Sequence, residues 1–157
     1  HTAYRRQRQM CIRDSTRTMS KAFALAGARV GYMAAHRSLI DALRIVRLPY
    51  HLSAITQAVA RTALHHRATL LGRVAELRQE RDALAAHLRE RGHDVADSDA
   101  NFILFHPFRA RRTVFDALLE RSILVREVGP DPWLRVSIGT ADDNAAFRTA
   151  LEEADPR

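Results

Sequence analysis

The chain has 157 residues, of which 46% are hydrophobic, and its formal net charge at pH 7 is +7. This hydrophobic content is ordinary for a globular protein, and the single cysteine, Cys11, excludes an internal disulfide and a cysteine-rich zinc site. No apolar run reaches the roughly twenty residues that a membrane-spanning helix needs, and no secretory signal is visible, so we expect a cytoplasmic protein with no membrane partner.

The distribution of the positive charge argues against nucleic-acid binding. A basic chain attracts phosphate backbones, but most arginines here stand beside carboxylates at helical spacing, as in RVAELRQERD (73–82) and LRERGHD (88–94). Such i,i+4 pairs are typical of a solvated helix face. A basic nucleic-acid-binding or interaction module is therefore only the remote alternative, and we expect no nucleic-acid partner.

Residues 1–15, HTAYRRQRQMCIRDS, show no amphipathic period and no turn pattern. The segment MCIRDS (10–15) resembles the translated end of a transposon that is used to prepare sequencing libraries. We therefore expect residues 1–15 to be a non-native read-through tail that is disordered, and we exclude it from the prediction of the fold.

From Thr16 to residue 66 the sequence predicts a polar loop, a buried strand and two helices. The strand is ARVGYMAA (28–35), and the helices are RSLIDALRIVR (37–47) and AITQAVARTALHH (54–66). Ser53 precedes the second helix and is a favoured N-cap residue.

A longer helix is predicted over 67–91. Its leucines and valine follow four-three spacing, Arg81 interrupts that apolar seam, and Gly92 is a typical residue to end a helix. A helix of this length often joins two domains, although half of a helical hairpin is the alternative.

Beyond Gly92 the pattern changes to short strands and helices. In LRVSIG, Leu134 and Val136 alternate with Arg135 and Ser137, which predicts a strand with one buried and one polar face. The predicted order β-β-α-β-β-α describes a small α+β layer, a sheet with helices on one face. Its strands are 93–97, 101–106, 123–128 and 134–139, and its helices are 112–122 and 141–154.

Lys21 is the one lysine among 25 basic residues, and it lies among small and apolar residues. Unlike a guanidinium, a lysine amine can lose its proton and act as a nucleophile. Thr18 and Ser20 precede it and Arg29 follows eight residues later. Hydroxyls and an arginine around one point suit a phosphate monoester, and a lysine beside a phosphate site indicates pyridoxal phosphate.

The stretch RTMSKAFALAGARVGYMAA (17–35) resembles the lysine motif of fold-type I pyridoxal-phosphate aminotransferases, and most closely that of the histidinol-phosphate group. The resemblance extends from Thr16 onward through later motifs in the same order. These motifs are VRLPYHLSAITQA (46–58), DSDANFILF (97–105), ILVREVG (123–129) and LRVSIGT (134–140).

The resemblance implies an α/β and α+β fold, the C-terminal part of such an enzyme. Residues 16–66 would form the end of the large cofactor-binding domain, residues 67–92 a linking helix and residues 93–157 the small C-terminal α+β domain. The residues that hold the cofactor ring normally lie upstream of the lysine. We therefore expect the chain as it stands to be an inactive fragment of a homodimeric enzyme.

The resemblance also implies the roles of four residues near the lysine. Lys21 would bind pyridoxal 5'-phosphate covalently and later move a proton between substrate and cofactor. Ser20 and Arg29 would hold the cofactor phosphate, and Thr18 would assist them.

Two further arginines match substrate-side positions. Arg135 would clamp a substrate carboxylate or phosphate, and Arg126 matches a second substrate-side arginine. The alternatives are a surface position for Arg135 and an exposed salt bridge for Arg126. We expect no metal site, because His65 and His66 lie at a helix end, where they suit the helix dipole better than a ligand set.

The implied reaction exchanges an amino group between L-histidinol phosphate and 2-oxoglutarate, giving glutamate, in histidine biosynthesis. Lys21 and Arg29 contact the cofactor rather than the substrate, so they leave alternatives open. These are an aromatic or other amino-acid aminotransferase of the same fold and, more remotely, a decarboxylase of amino-alcohol phosphates.

Overall fold

A computed structural model describes residues 15–156 of the chain. The chain divides into two compact units, the first ending at Gly72 and the second beginning at Arg73. The predicted disordered tail comprises residues 1–15. Residues 1–14 lie outside the described residues, and Ser15 begins the first strand.

The first unit consists of a two-stranded hairpin followed by helices. The strands β1 and β2 pair antiparallel, with Thr18 opposite Gly31. The elements are β1 (Ser15–Thr18), β2 (Gly31–Ala34), α1 (Arg37–Val46), α2 (Ala54–His65) and the first residues of α3 (Arg67–Glu90).

Both helix predictions for the first unit are confirmed, but two other predictions were wrong. The polar loop expected from Thr16 begins three residues later, because residues 16–18 belong to strand β1. The predicted strand over 28–35 is shorter, and all four residues of β2 are exposed rather than buried. The physical reason is that the described hairpin has only two strands and no layer covering β2.

Local capping sets the start of α2 and the end of α3, as the sequence predicts. The Ser53 side-chain oxygen accepts a hydrogen bond from the Thr56 amide at 3.0 Å. At the end of α3, Gly92 has a φ of 81°, and the His93 amide donates to the Leu88 carbonyl at 3.0 Å. This pairing, with the left-handed glycine, is a Schellman motif.

Arg81 does interrupt the apolar seam of α3, and it is buried there. Leu84 and Leu88 on the same helix are fully buried. The Arg81 guanidinium donates from Nε and Nη2 to Asp82 Oδ1 at 2.9 and 2.8 Å, so a carboxylate accompanies the buried charge.

The second unit is a three-stranded antiparallel sheet in the order β3-β4-β5, with helices. Leu104 lies opposite Arg135, and Phe102 lies opposite Ser137. Besides most of α3, the elements are β3 (Asp94–Val95), β4 (Phe102–His106), α4 (Arg111–Glu120), β5 (Leu134–Ser137) and α5 (Ala141–Ala154).

The predicted strand over 123–128 was wrong, since the structure forms only one isolated bridge there, between Arg126 and Arg135. Within this segment Val125 is buried, whereas Leu124 is 79% exposed. Without a continuous buried face, the segment lacks the packing that would hold a longer strand.

One hydrophobic cluster fills the second unit and confirms the alternation predicted for β5. Leu134, Val136 and Ile138 are buried, and Arg135 and Ser137 lie on the other face. The cluster contains 14 buried apolar residues, drawn mainly from α3, β4, α4, β5 and α5. The sheet therefore has one face against the helices and one that carries Arg135.

Within residues 15–156, no helix is long and apolar enough to cross a membrane. In the same range, no three His, Cys, Asp or Glu side chains are grouped so that they could hold a metal ion.

Candidate functional site

The loop that joins β1 to β2 carries Lys21 and is closed by backbone hydrogen bonds. The Met19 amide donates to the Val30 carbonyl at 3.0 Å, and the Leu25 amide donates to the Met19 carbonyl at 3.1 Å. Met19 and Val30 are buried in a small cluster with Ala60 of α2. Lys21 is exposed, two residues after this buried anchor.

Two hydroxyl groups lie side by side just before Lys21. Thr18 Oγ1 donates to Ser20 Oγ at 2.9 Å, and the Ser20 amide donates to Thr18 Oγ1 at 3.1 Å. The second bond is a local side-chain to backbone turn that fixes Thr18 relative to the loop. The two hydroxyls are therefore held together at the start of the lysine loop.

Arg29 lies at the far end of the same loop. Its backbone adopts the left-handed region, with a φ of 51°, and Nη1 donates to the Ala26 carbonyl at 2.9 Å. A non-glycine residue in this region is uncommon and concentrates at functional sites.

Thr18, Ser20 and Arg29 line one open groove of about 500 Å³. Gly31 forms part of its wall, and a Cβ atom at this position would lie 2.5 Å from the Arg17 carbonyl oxygen, so only glycine fits. The remaining residues that line the groove are Thr16, Arg17 and Val30. The structure thus brings three of the four residues predicted around the cofactor into one groove, and Lys21 follows Ser20 directly in the chain.

The donors of this groove fit a phosphate monoester. The Ser20 hydroxyl, whose oxygen accepts from Thr18, has its own proton to donate, and the Arg29 guanidinium supplies a planar, permanently charged group. A phosphate held there would lie near the residue that bears the nucleophilic amine, Lys21.

A second group of polar residues lies on the sheet of the second unit. Arg126 and Arg135 exchange two backbone hydrogen bonds, both of 2.9 Å, so they are directly opposite each other. Directly opposite residues project to the same face. We call this face the arginine face, and it comprises Phe102, Leu104, Arg126, Arg135 and Ser137.

Like charges directly opposite each other destabilise a sheet unless an anion lies between them. Arg126 is exposed, whereas Arg135 is half-buried, and among residues 15–156 its buried Nε has no hydrogen-bond partner. The terminal N–H groups of the half-buried Arg135, beside a second cation, are suited to receive a carboxylate or a phosphate.

Phe102 is a component of this face that the sequence analysis missed. The Arg135 guanidinium carbon lies 4.8 Å from the centre of the Phe102 ring, within the range of a cation–π contact. The alternation in NFILFH was a usable signal, because it places Phe102 on the face opposite the buried Ile103 and Phe105.

Comparison with known proteins gives one consistent group of relatives. The family described as "Aminotransferase class I and II" matches residues 14–151. The histidinol-phosphate aminotransferase of Thermobifida fusca is 59% identical over 142 residues, which are 90% of this chain and 39% of that protein. The enzyme of the same name from Streptomyces avermitilis is 55% identical over 138 residues, 88% of this chain and 37% of that protein.

Solved structures show the same fold. A histidinol-phosphate aminotransferase from Sinorhizobium meliloti, in complex with pyridoxal-5'-phosphate, is 26% identical with a TM-score of 0.78 and covers 90% of this chain and 40% of its own. A putative aminotransferase from Burkholderia pseudomallei is 29% identical with a TM-score of 0.82, and the match covers 90% of this chain and 45% of that protein. These likenesses confirm the predicted fold class, and the chain spans less than half the length of each of these relatives.

Proposed function

Because the chain belongs to the aminotransferase class I and II family, we propose that it is the lysine-bearing part of a histidinol-phosphate aminotransferase. The reaction is the exchange of an amino group between L-histidinol phosphate and 2-oxoglutarate. The observation that carries the proposal is the groove in which Thr18, Ser20 and Arg29 meet beside Lys21. The relatives named above support the choice of substrate.

The groove is the site proposed for the phosphate of pyridoxal 5'-phosphate. Ser20 would donate to the phosphate from its hydroxyl, and Arg29 would donate from its guanidinium. Thr18 would assist by donating to Ser20 Oγ and so orienting the Ser20 hydroxyl. When bound, pyridoxal phosphate supplies an electron sink that stabilises negative charge developing on the substrate carbon.

Lys21 would supply the amine that holds the cofactor. Its Nζ must be neutral to act as a nucleophile, and a neutral amine can also accept a proton from the substrate carbon and return it elsewhere. A guanidinium at this position could do neither at accessible pH. The lysine is therefore the one residue of the loop whose identity the chemistry requires.

Arg135, with Arg126 beside it, is the proposed anion site for the substrate. The carboxylate of glutamate and the phosphate of histidinol phosphate are both anions that a guanidinium binds through two parallel hydrogen bonds. The backbone bridge between the two arginines supports this role, since it turns both side chains to one face.

We extend the proposal to the organisation of the whole protein. Residues 16–66 form the end of the large cofactor-binding domain, residues 67–92 a linking helix, and residues 93–157 the small C-terminal domain. The unbroken helix α3 supports the linking role, and its C-terminal half contributes Leu84 and Leu88 to the core of the second unit. The whole enzyme acts as a cytoplasmic homodimer.

A hybrid enzyme tests the proposal. In this hybrid protein, the chain from Thr16 onward replaces the matching segment of the Thermobifida fusca relative. With 2-oxoglutarate as acceptor, glutamate formation is measured from L-histidinol phosphate, L-phenylalanine and L-tyrosine. Release of CO2 from an O-phosphorylated hydroxy-amino acid, which would leave an amino-alcohol phosphate, tests the decarboxylase alternative. The unmodified relative is the control for the upstream segment.

We expect the hybrid protein to retain pyridoxal phosphate and to have its highest kcat/KM with L-histidinol phosphate. A folded hybrid that binds the cofactor but prefers an aromatic amino acid would support the aromatic aminotransferase instead. A folded hybrid that does not retain the cofactor would contradict the assignment of the groove.

A further inference from the structure

We propose that Phe102 is a positioning residue for Arg135. Its ring holds the guanidinium in one plane on the arginine face, so that the terminal nitrogens are presented to an anion. This inference rests on the proposed function at one point, the identity of the anion, which we take to be the carboxylate or phosphate of the substrate.

The strand register brings the two side chains together. Phe102 lies opposite Ser137, and Arg135 lies opposite Leu104, so Phe102 and Arg135 are diagonal neighbours across β4 and β5. Diagonal neighbours are about 7–8 Å apart at their backbones, which long and aromatic side chains can bridge. The observed distance of 4.8 Å from guanidinium carbon to ring centre shows that they do.

Among the described residues 15–156, no carboxylate forms an ion pair with Arg135 that would fix its orientation. Its Nε is buried and has no hydrogen-bond partner among residues 15–156, so the usual anchor of an arginine side chain is missing there. The ring of Phe102 is then the contact that restricts rotation of the guanidinium. A guanidinium held in this way keeps its terminal N–H groups available for a ligand.

The same unit contains a matched arginine that is held differently. Arg112 lies over Phe115, with its guanidinium carbon 5.2 Å from the ring centre. It also donates from Nε to Asp116 at 2.9 Å and from Nη1 to Glu127 at 3.1 Å. Hydrogen bonding and charge from Asp116, with a contribution from Glu127, raise the pKa of Arg112. The two carboxylates therefore orient Arg112, and the Phe115 ring is a secondary contact.

The first experiment uses the 157-residue chain and inorganic phosphate as the probe. The NMR signals of the Arg135 side chain should be displaced by the ring current of Phe102 in the unsubstituted chain, and titration with phosphate should move the Nε–H signal of Arg135. We expect Phe102→Leu to abolish the ring-current displacement and to weaken phosphate binding about threefold to thirtyfold. Phe102→Tyr, which keeps the ring, should restore both.

Phe115→Leu is the matched control, because it removes a ring from Arg112 while the carboxylates remain. It should leave the affinity for phosphate unchanged, and thermal unfolding of each variant checks that the fold is retained. If the unsubstituted chain shows no ring-current displacement at Arg135, or if phosphate moves the Arg135 Nε–H signal at the same concentration in Phe102→Leu as in the parent, the inference is wrong.

The second experiment separates this inference from the proposed function. In the hybrid protein, Phe102→Leu should raise KM for L-histidinol phosphate and for 2-oxoglutarate about threefold to thirtyfold, with a smaller change in kcat. If the hybrid protein is active and KM does not change, the positioning role fails while the function stands. If the hybrid protein is inactive but the phosphate results hold, the function fails while the positioning role stands.

Discussion

The two units differ in how they hold their functional residues. The first unit holds the lysine loop with backbone hydrogen bonds and a buried cluster of Met19, Val30 and Ala60. The second unit holds the arginine face on a sheet whose reverse side is part of a cluster of 14 buried apolar residues. The free energy of unfolding of the second unit should therefore come mainly from burial, whereas the geometry of the lysine loop depends on a few local bonds.

This difference predicts that chemistry and stability respond to different substitutions. Changes in the lysine loop should alter cofactor binding and turnover with little effect on the unfolding of the second unit. Changes in the core of the second unit should lower its free energy of unfolding with little effect on cofactor binding and turnover.

The largest expected effect is on turnover, from Lys21→Arg in the hybrid protein. The substitution keeps the positive charge but removes an amine that can be neutral, so we expect transamination to fall at least about 10³-fold. The absorbance band of the lysine-bound cofactor should disappear as well. Retention of both the band and the turnover would mean that Lys21 is not the cofactor lysine.

The next largest effect is on stability, from Phe105→Ala in the core of the second unit. Phe105 is fully buried, and such a truncation costs about 3–5 kcal/mol. Unfolding by denaturant can be followed by fluorescence of Trp133, the single tryptophan, which lies in the second unit.

Met19→Ala is the matched change in the first unit. It should lower the stability of the first unit while the transition reported by Trp133 keeps its midpoint. An equal shift of that midpoint by Met19→Ala and by Phe105→Ala would show that the two units unfold together, and the comparison would fail.

A smaller effect is expected at the phosphate groove, from Arg29→Lys in the hybrid protein. A point charge replaces a planar group with several donors, so the dissociation constant of the cofactor should rise roughly tenfold. Cofactor retained after dialysis measures this change. Arg37→Lys, at an exposed arginine of α1 paired with Asp41, is the control and should retain the cofactor like the parent.

The smallest effect concerns pH and the start of α5. The Thr140 amide donates to the Asp143 carboxylate at 2.9 Å and its hydroxyl donates at 2.8 Å, and together they lower the pKa of Asp143 from its ordinary value of 3.8. Because this pKa is lowered in the folded state, the ionised Asp143 carboxylate stabilises the fold at pH values above its ordinary pKa. That stabilisation is lost as the pH falls through the lowered pKa.

Asp143→Asn should therefore reduce the unfolding midpoint slightly at pH 7, and the difference from the parent should shrink below about pH 4. Asp142→Asn, in the same first turn, is the control. If both variants differed from the parent by the same amount at every pH, the capping bond would not be the cause.

The sequence by itself determined the features that depend on neighbours in the chain. The period of the apolar residues predicted five helices, Ser53 and Gly92 marked helix ends, and the alternation in β5 placed Arg135 on the polar face. The spacing of Ser20, Lys21 and Arg29 indicated a phosphate site beside a reactive amine. These features can be predicted from the sequence because helix propensity, capping and hydrophobic periodicity act over a few residues.

Only the tertiary structure decided which surfaces are covered and which residues meet across strands. It made β2 exposed, reduced the predicted strand over 123–128 to one bridge, and brought Phe102 onto the guanidinium of Arg135. Each of these depends on pairing between residues far apart in the chain, where a shift of one position reverses the face of every side chain. The local sequence pattern leaves that register open, and the packing within each unit fixes it.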